Sequence, residues 1–163
     1  MNRLFFTLLL ACIVIMNNCT GPNKSIIKPD SPPAAIEKRN LMIGKWYGEI
    51  KNEKGELQQW LVTRFGDGSY TIHFRLPEKD KTCNEQIEVG VWGVSGPIYF
   101  SITKGWVTDS SFIPSDPRDP SYYDAYEIIE INQNKFEYRS FDTDMTFEVK
   151  RVGDDFRLPE IAP

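Results

Sequence analysis

Short segments in which apolar and polar residues alternate, joined by tight turns, run through most of the chain after residue 44. The clearest is 69–76, where Tyr70, Ile72 and Phe74 alternate with polar side chains. Such alternation is typical of strands with one face in a core and the other in water. The pattern predicts eight strands, at 45–51, 57–65, 69–76, 86–94, 97–103, 124–131, 134–141 and 144–151.

The connections between these strands predict how they are arranged. GDG at 66–68, SGP at 95–97 and NQN at 132–134 are hairpin turns, so the strands that they join are antiparallel neighbours. A meander of eight strands leaves exposed edges unless it closes on itself. We therefore predict an all-β fold, an eight-stranded antiparallel up-and-down β-barrel, with a short helix over 34–42 before the first strand.

The order of the strands also separates the loops. The three tight turns fall at one end of the barrel, and the long connections 77–85 and 104–123 fall at the other. The barrel is thus predicted to be a cup, closed at one end and carrying long loops at its mouth.

Trp46 and Arg151 are predicted to meet at the closed end. Trp46 begins the first strand, and the last strand ends beside it when the barrel closes. Arg151 shares the alternation of Phe147 and Val149, so it points inward, where the indole face and nearby carbonyls offer partners. Gly44 leaves room for the preceding segment to cross under the barrel.

Gly44-x-Trp46, eight meandering strands and an arginine at the end of the last strand resemble the lipocalins. The stretches GKWYGEI…GDGSYTIHF and EVGVWGVSGPIYF are similar to small bacterial lipocalin-like proteins, and the resemblance covers roughly residues 38 to 152. It implies a lipocalin-like (calycin) barrel in which Gly44, Trp46 and Arg151 form a structural motif. The chain departs from the larger lipocalins in having no long helix after the last strand and no disulfide pattern like that of secreted animal members.

Aromatic residues expected on the inner face are the candidate ligand-binding residues. They either line a cavity for a small hydrophobic molecule or lipid, or fill a small barrel completely, and the sequence leaves both open. A hollow cup of ~300 Å³ or more would favour the first. In the second, the barrel is an interaction module that presents its 104–123 loop to another envelope protein. The candidates are Trp60, Phe74, Phe100, Tyr126, Tyr138 and Phe147.

The N-terminus predicts a signal peptide and a lipoprotein anchor. MNR supplies a positive start, and the apolar run Leu4–Met16 is shorter than the ~20 residues of a membrane span. LLAC, ending at Cys12, resembles a bacterial lipobox, and Cys19 is the alternative site. Lipidation at one of these cysteines would attach the protein to the bacterial cell envelope. The expected location is the outer membrane, with the protein facing the periplasm.

These features predict four regions in the chain: an anchor region over 1–19, a flexible linker over 20–37, the barrel over 38–155 and a C-terminal tail over 156–163. Three cysteines exclude a disulfide framework. Cys83 lies in the folded part and is either a free thiol or, if Cys12 carries the lipid, a partner of Cys19.

Charge and residue pattern argue against several functions. The net charge of −4 comes from interspersed acidic and basic residues, so nucleic acid is not an expected partner. The chain is not expected to be an enzyme, because its one histidine, His73, faces outward and no Ser or Cys has an evident base. We expect no cofactor and no metal, since the acidic residues lack calcium-loop spacing and SDPRDPS favours successive turns. Those acidic residues are Asp109, Asp116, Asp119 and Asp124.

Overall fold

The computed structural model describes residues 32–52, 54–77 and 83–159. The predicted signal peptide, the candidate lipidation sites Cys12 and Cys19 and most of the predicted linker lie outside the described residues. Within those residues, no helix has the length and apolar composition needed to cross a bilayer. The described elements are α1 (Pro33–Met42), β1 (Gly44–Lys51), β2 (Leu57–Arg64), β3 (Ser69–Pro77), β4 (Cys83–Ser95), β5 (Ile98–Val107), β6 (Phe112–Pro114), a 3-10 turn (Pro120–Tyr122), β7 (Tyr123–Ile131), β8 (Lys135–Ser140) and β9 (Thr146–Val152).

Eight of these strands close into an antiparallel barrel in sequence order. Each strand from β1 to β5 pairs with the next, β5 pairs with β7, and β7, β8 and β9 continue the meander. β9 then returns to β1, with Arg151 opposite Trp46, and completes the ring. The predicted fold is confirmed: the chain is an all-β, lipocalin-like barrel with one short helix before its first strand.

The short strand β6 was not predicted, because it lies in the stretch read as a long loop. It folds back on the upper part of β5, where Ile113 lies opposite Trp106. β5 therefore carries two partners on one edge, β7 along 98–102 and β6 along 105–107. The loop at the mouth is thereby held against the wall of the barrel.

Helix α1 lies across the closed end. Its first residue is Pro33, which suits the first helical position because the missing N–H has no partner there in any case. Lys38 Nζ donates to the carbonyl of Gly96 at 2.9 Å and Arg39 Nη2 to that of Gly66 at 2.7 Å, so the helix is tied to two hairpin turns. The helix begins one residue before the predicted range 34–42, and its residues 33–37 lie in the region 20–37 that was assigned to the linker.

Arg151 and Trp46 form one unit beneath the barrel. The Arg151 Cζ lies 4.2 Å from the centre of the Trp46 ring. Its guanidinium donates to the carbonyls of Ile43 at 2.8 Å, Leu41 at 2.5 Å and Gln133 at 2.6 Å. Trp46 Nε1 in turn donates to the carbonyl of Met42 at 2.9 Å.

Gly44 is required at this end for two reasons. Its φ is +116°, a conformation that residues with a Cβ rarely adopt. A Cβ at this position would also lie 2.7 Å from Arg151 Nη1, so any larger residue would displace the guanidinium. The glycine of the G-x-W motif is thus required both by its backbone conformation and by the packing of Arg151 against it.

The lower half of the barrel is filled by side chains. Phe136 lies edge-on to Trp46, with ring centres 6.1 Å apart, and packs on Tyr138 at 4.6 Å. The residues that are at most 2% exposed belong to this layer or to its floor, and they are Met42, Trp46, Val62, Arg64, Tyr70, Phe136 and Val149.

The segment 153–159 runs from the end of β9 over the outside of the barrel. Phe156 packs on Tyr47, with ring centres 5.2 Å apart, and Leu158 is 8% exposed. Arg75 donates hydrogen bonds to the carbonyls of Leu158 and Pro159. Residues 156–159, assigned to a tail, are therefore packed on the barrel wall.

Candidate functional site: the barrel cavity

A cavity of about 250 Å³ lies in the upper half of the barrel. Gln58, Leu76 and Met145 lie at strand ends on the loop side, so the cavity opens there. The barrel is thus filled at its closed end and hollow at its mouth. The volume is slightly below the ~300 Å³ given above for a hollow cup, which is also the lower limit usual for ligand pockets, and it restricts the cavity to a small molecule.

Five of the six predicted aromatic residues line this cavity: Trp60, Phe74, Tyr126, Tyr138 and Phe147. Four of these rings contact one another, those of Trp60, Tyr126, Tyr138 and Phe147, with Trp60 edge-on to Phe147 at 6.0 Å and Tyr138 stacked on Phe147 at 5.5 Å. Trp60 lies directly over Gly48 of the neighbouring strand, where a Cβ would overlap the indole. The apolar wall is therefore a connected layer that holds its shape without a ligand.

The prediction for Phe100 was wrong. Phe100 is on the outer face of β5, is 36% exposed, and covers Gly93 of β4 with its ring. The inward positions of β5 are Tyr99, Ser101 and Thr103. Because Ser101 and Thr103 hydrogen-bond to carboxylates inside the barrel, this strand places polar residues inside and an aromatic residue outside.

Two carboxylates line the cavity on the side of β4, β5 and β7. Glu88 Oε1 accepts hydrogen bonds from Tyr70 Oη at 2.7 Å and Thr103 Oγ1 at 2.9 Å. Asp124 accepts only a long one, from Ser101 Oγ at 3.5 Å. Burial, followed by the negative charge of Glu88, raises the pKa of the Asp124 carboxyl, which favours its neutral, hydrogen-bond-donating form.

Arg64 forms the inner end of the cavity and is 2% exposed. Its Nη2 donates to Tyr99 Oη at 3.1 Å, and its Cζ lies 4.7 Å from the centre of the Tyr99 ring and 5.3 Å from that of Phe136. Its Nε and Nη1 are buried and have no hydrogen-bond partner in the part of the chain that the structure describes. No ion pair among those residues includes Arg64. Among the described residues, the site therefore contains a buried cation that forms no ion pair.

The sequence analysis named only aromatic residues as cavity candidates, so it missed Arg64 and Glu88, and it considered Asp124 only as an acidic residue without calcium-loop spacing. The alternation of inward and outward side chains along a strand was the signal that could have placed Arg64 in the barrel. Arg64 is four residues after Trp60 on the same strand, so both point inward. Counting parity from an aromatic residue would have placed Arg64 inside, whatever its charge.

The buried tyrosines add hydroxyl groups to the cavity. Burial raises the pKa of Tyr126 and Tyr138, so both remain protonated at neutral pH. Among residues 32–52, 54–77 and 83–159, no three His, Cys, Asp or Glu side chains cluster closely enough to hold a metal ion. The groups that line the cavity are an apolar wall, several hydroxyls, two carboxylates and an arginine.

The long connection at the mouth is held down by its own residues. Trp106 contacts Tyr122 edge-on at 5.4 Å, and Ser115 Oγ donates to the carbonyl of Thr103 at 2.7 Å. Asp116 accepts from the backbone N–H of Arg118, and Asp119 from that of Ser121, the pattern of successive turns.

A wider groove of about 700 Å³ lies outside the closed end, where Ile36 of α1 and Gln133 of the β7–β8 turn are among its lining residues. Its charged group on the barrel side, Arg151, already donates to three carbonyls. The interior cavity is the stronger candidate, because it combines an enclosed apolar wall with an arginine whose donors lack partners.

No protein-family model matches the chain, and no curated protein matches it. A crystal structure of a lipocalin-like protein from Bacteroides uniformis ATCC 8492 is similar, with a TM-score of 0.41 and 13% sequence identity. The match covers 69% of this chain and 99% of that one. A likeness this distant carries no argument about a ligand, and the fold is assigned here from the strand order and the closure of the barrel.

Proposed function

We propose that this protein is a lipid-anchored protein of the bacterial cell envelope whose barrel binds a small hydrophobic molecule or lipid. The anchor would hold it on the outer membrane, facing the periplasm. Binding would occur in the upper half of the barrel, through the mouth between the loops.

The observation that supports binding is the cavity of about 250 Å³ above a filled lower half. A barrel of eight strands can be filled completely by side chains, as the closed end of this one is. The cavity in the upper half lacks the dispersion contacts that a filled core would make. A bound apolar molecule would restore those contacts, and the aromatic wall gives it a preformed surface.

Uptake of the apolar fluorescent probe N-phenyl-1-naphthylamine tests this proposal. The full-length chain with both Cys12 and Cys19 replaced by alanine keeps an attached acyl chain from competing. We expect the probe to fluoresce with this protein and the signal to be lost with Phe74→Arg, which places a charge in the cavity wall. The matched control Phe100→Arg, on the outer face, keeps the signal. No fluorescence change with the parent protein contradicts the proposal.

The anchor is tested separately by detergent-phase partitioning. We expect the wild-type protein to enter the detergent phase and one of Cys12→Ala and Cys19→Ala to move it into the aqueous phase. The motive is the charged start, the apolar run and the two candidate cysteines. If neither substitution changes the partitioning, the protein is not a lipoprotein.

A second candidate function is docking of another envelope protein on the 104–123 loop. It is favoured by Phe112 and Ile113, which are 52% and 51% exposed on β6. Exposed apolar residues at a rim are a common feature of interaction sites. Chemical cross-linking in cells would test it: Phe112→Ser should remove a cross-linked partner that Phe100→Ser retains.

A further inference from the structure

We propose that the ligand is an amphipathic small molecule whose anionic group binds Arg64 while its apolar body packs against Phe74 and Phe147. The inference rests on the proposed function, since it names the ligand class of the same cavity. It follows from three properties of the cavity: a buried arginine that forms no ion pair among the described residues, a carboxylate already engaged by two hydroxyls, and one apolar wall.

The first property is the state of the Arg64 guanidinium. A buried cation without a partner is unfavourable, and proteins normally supply a carboxylate or several carbonyls. Arg151 at the closed end has three carbonyl partners, whereas Arg64 has one tyrosine hydroxyl and two aromatic faces. The aromatic faces stabilise the charge in part. The Nε and Nη1 donors remain without acceptors, and an anion at the inner end of the cavity would supply them.

The second property concerns the two carboxylates that line the same cavity. Glu88 already accepts from two hydroxyl groups, at 2.7 and 2.9 Å. Asp124 is held towards its neutral form by burial and by Glu88. Arg64 is therefore the charged group of the cavity whose donors lack partners among the described residues, and donors select an acceptor.

The third property is the distribution of apolar surface. Ile72 and Phe74 of β3 and Phe147 of β9 line the cavity. At the mouth, Leu76 and Met145 extend this apolar surface to the solvent. A ligand with its charged group at the inner end would lay its apolar body along this wall and point its tail outward. The small volume favours a short chain or a single ring system.

Isothermal titration calorimetry with octanoate, 1-octanol and octylamine tests the inference, because the three share one apolar body and differ in head-group charge. The full-length protein with Cys12→Ala and Cys19→Ala is used. We expect octanoate to bind at least about tenfold more tightly than either analogue, the gain typical of a charge-assisted hydrogen bond. Arg64→Met should remove this preference and retain 1-octanol binding. The control Arg75→Met, which changes an arginine on the outer wall, should keep the preference.

A crystal structure of the octanoate complex of the parent protein gives an answer even if Arg64→Met does not fold. The carboxylate is expected within ~3 Å of an Arg64 nitrogen. A carboxylate at the mouth, or binding of 1-octanol or octylamine at least as tight as that of octanoate, overturns the inference and leaves the proposed function in place. If none of the three binds and the fluorescent probe is not taken up either, both the inference and the proposed function are wrong.

Discussion

Two arginines point inward in the barrel, Arg64 buried and Arg151 half-buried at the closed end, and they differ in what their guanidinium groups contact. Arg151 lies on the Trp46 indole and donates to three main-chain carbonyls, so its charge is stabilised within the fold. Arg64 lies between Tyr99 and Phe136 and has donors without acceptors. At the scale of single residues, the first arginine closes the barrel and the second is available for recognition.

Removing Arg151 should therefore cost stability. Trp46→Ala opens a cavity and is expected to lower the free energy of unfolding by ~3–5 kcal/mol. Arg151→Met leaves the part-buried carbonyls of Leu41 and Ile43 without this donor and should lower it by ~1–3 kcal/mol. Because the two side chains touch, the double variant should lose less than the sum of the single losses. Urea denaturation of the three variants measures this coupling. Arg118→Met, in an exposed pair, is the control, and full additivity contradicts the assignment of one unit.

Two segments outside the eight barrel strands pack on the barrel, one across its closed end and one on its outer face. α1 inserts Met42, which is fully buried, under the closed end, and it is tied to the hairpin turns by Lys38 and Arg39. The segment 153–159 covers the outer face of β1 to β3 through Phe156 and Leu158. Both are short pieces of chain whose conformation depends on the barrel that they contact.

Two substitutions within α1 test whether this helix plugs the closed end of the barrel. Met42→Ala should lower the free energy of unfolding by ~2–5 kcal/mol, since a buried side chain is replaced by a cavity. Ile36→Ala, at a position 48% exposed on the same helix, should change it by less than ~0.5 kcal/mol. Guanidinium melts of both variants compare the two positions. Equal effects would mean that the helix does not plug the barrel.

The C-terminal segment gives a second test at this scale. Leu158→Ala removes an apolar side chain that is 8% exposed and should lower the free energy of unfolding by ~2–3 kcal/mol. Arg157→Ala, the exposed neighbour, should have little effect. Thermal unfolding followed by circular dichroism distinguishes the two. A melting temperature unchanged by Leu158→Ala would show that the segment contributes nothing to the fold.

Over the whole molecule, the barrel combines a filled floor with a hollow, partly charged upper half. The floor supplies stability through Trp46, Tyr70 and Phe136, which are at most 2% exposed. The upper half contains Glu88 and Asp124 in a partly enclosed space. The filled and the hollow parts are thus separated along the barrel axis, and the carboxyl groups of the upper half make stability depend on pH.

Asp124 should give a defined pH dependence. Its pKa is raised in the folded state above the unfolded value of ~3.9, by burial and by the charges of Glu88 and Asp142. Its contribution to stability is therefore complete below pH ~4 and is lost as the pH rises through the folded-state pKa. The free energy of unfolding of the wild type, relative to Asp124→Asn, should fall over that range. Urea melts at a series of pH values measure it.

Asp116, a carboxylate whose pKa is shifted in the opposite direction, is the control for this pH series. The side chain of Arg118 lowers the pKa of Asp116, so that group's contribution is present above its unfolded pKa and is lost as the pH falls. The difference between wild type and Asp116→Asn should therefore have the opposite slope. Parallel pH profiles for the Asp124 and Asp116 variants would contradict the burial of Asp124.

What the sequence by itself determined was the barrel: its strands, its order and its closed end. Alternation and turn length are local properties, and the eight predicted strands lie where the eight barrel strands are. The placing of Arg151 on Trp46 also followed from topology, because the first and last strands of a closed meander must meet. Five of the six predicted aromatic residues line the cavity for the same reason of parity.

Only the tertiary structure showed where polar side chains point into the barrel and an aromatic side chain points out of it. Ser101 and Thr103 point inward because their partners, Asp124 and Glu88, are on other strands, and Phe100 is turned outward as a consequence. Parity with Trp60 points Arg64 inward, but only the folded barrel brings Tyr99, 35 residues away, to accept its hydrogen bond and stack on it. Contacts between such distant positions, and the volume that they leave empty, are set by three-dimensional packing and leave no local pattern in the chain.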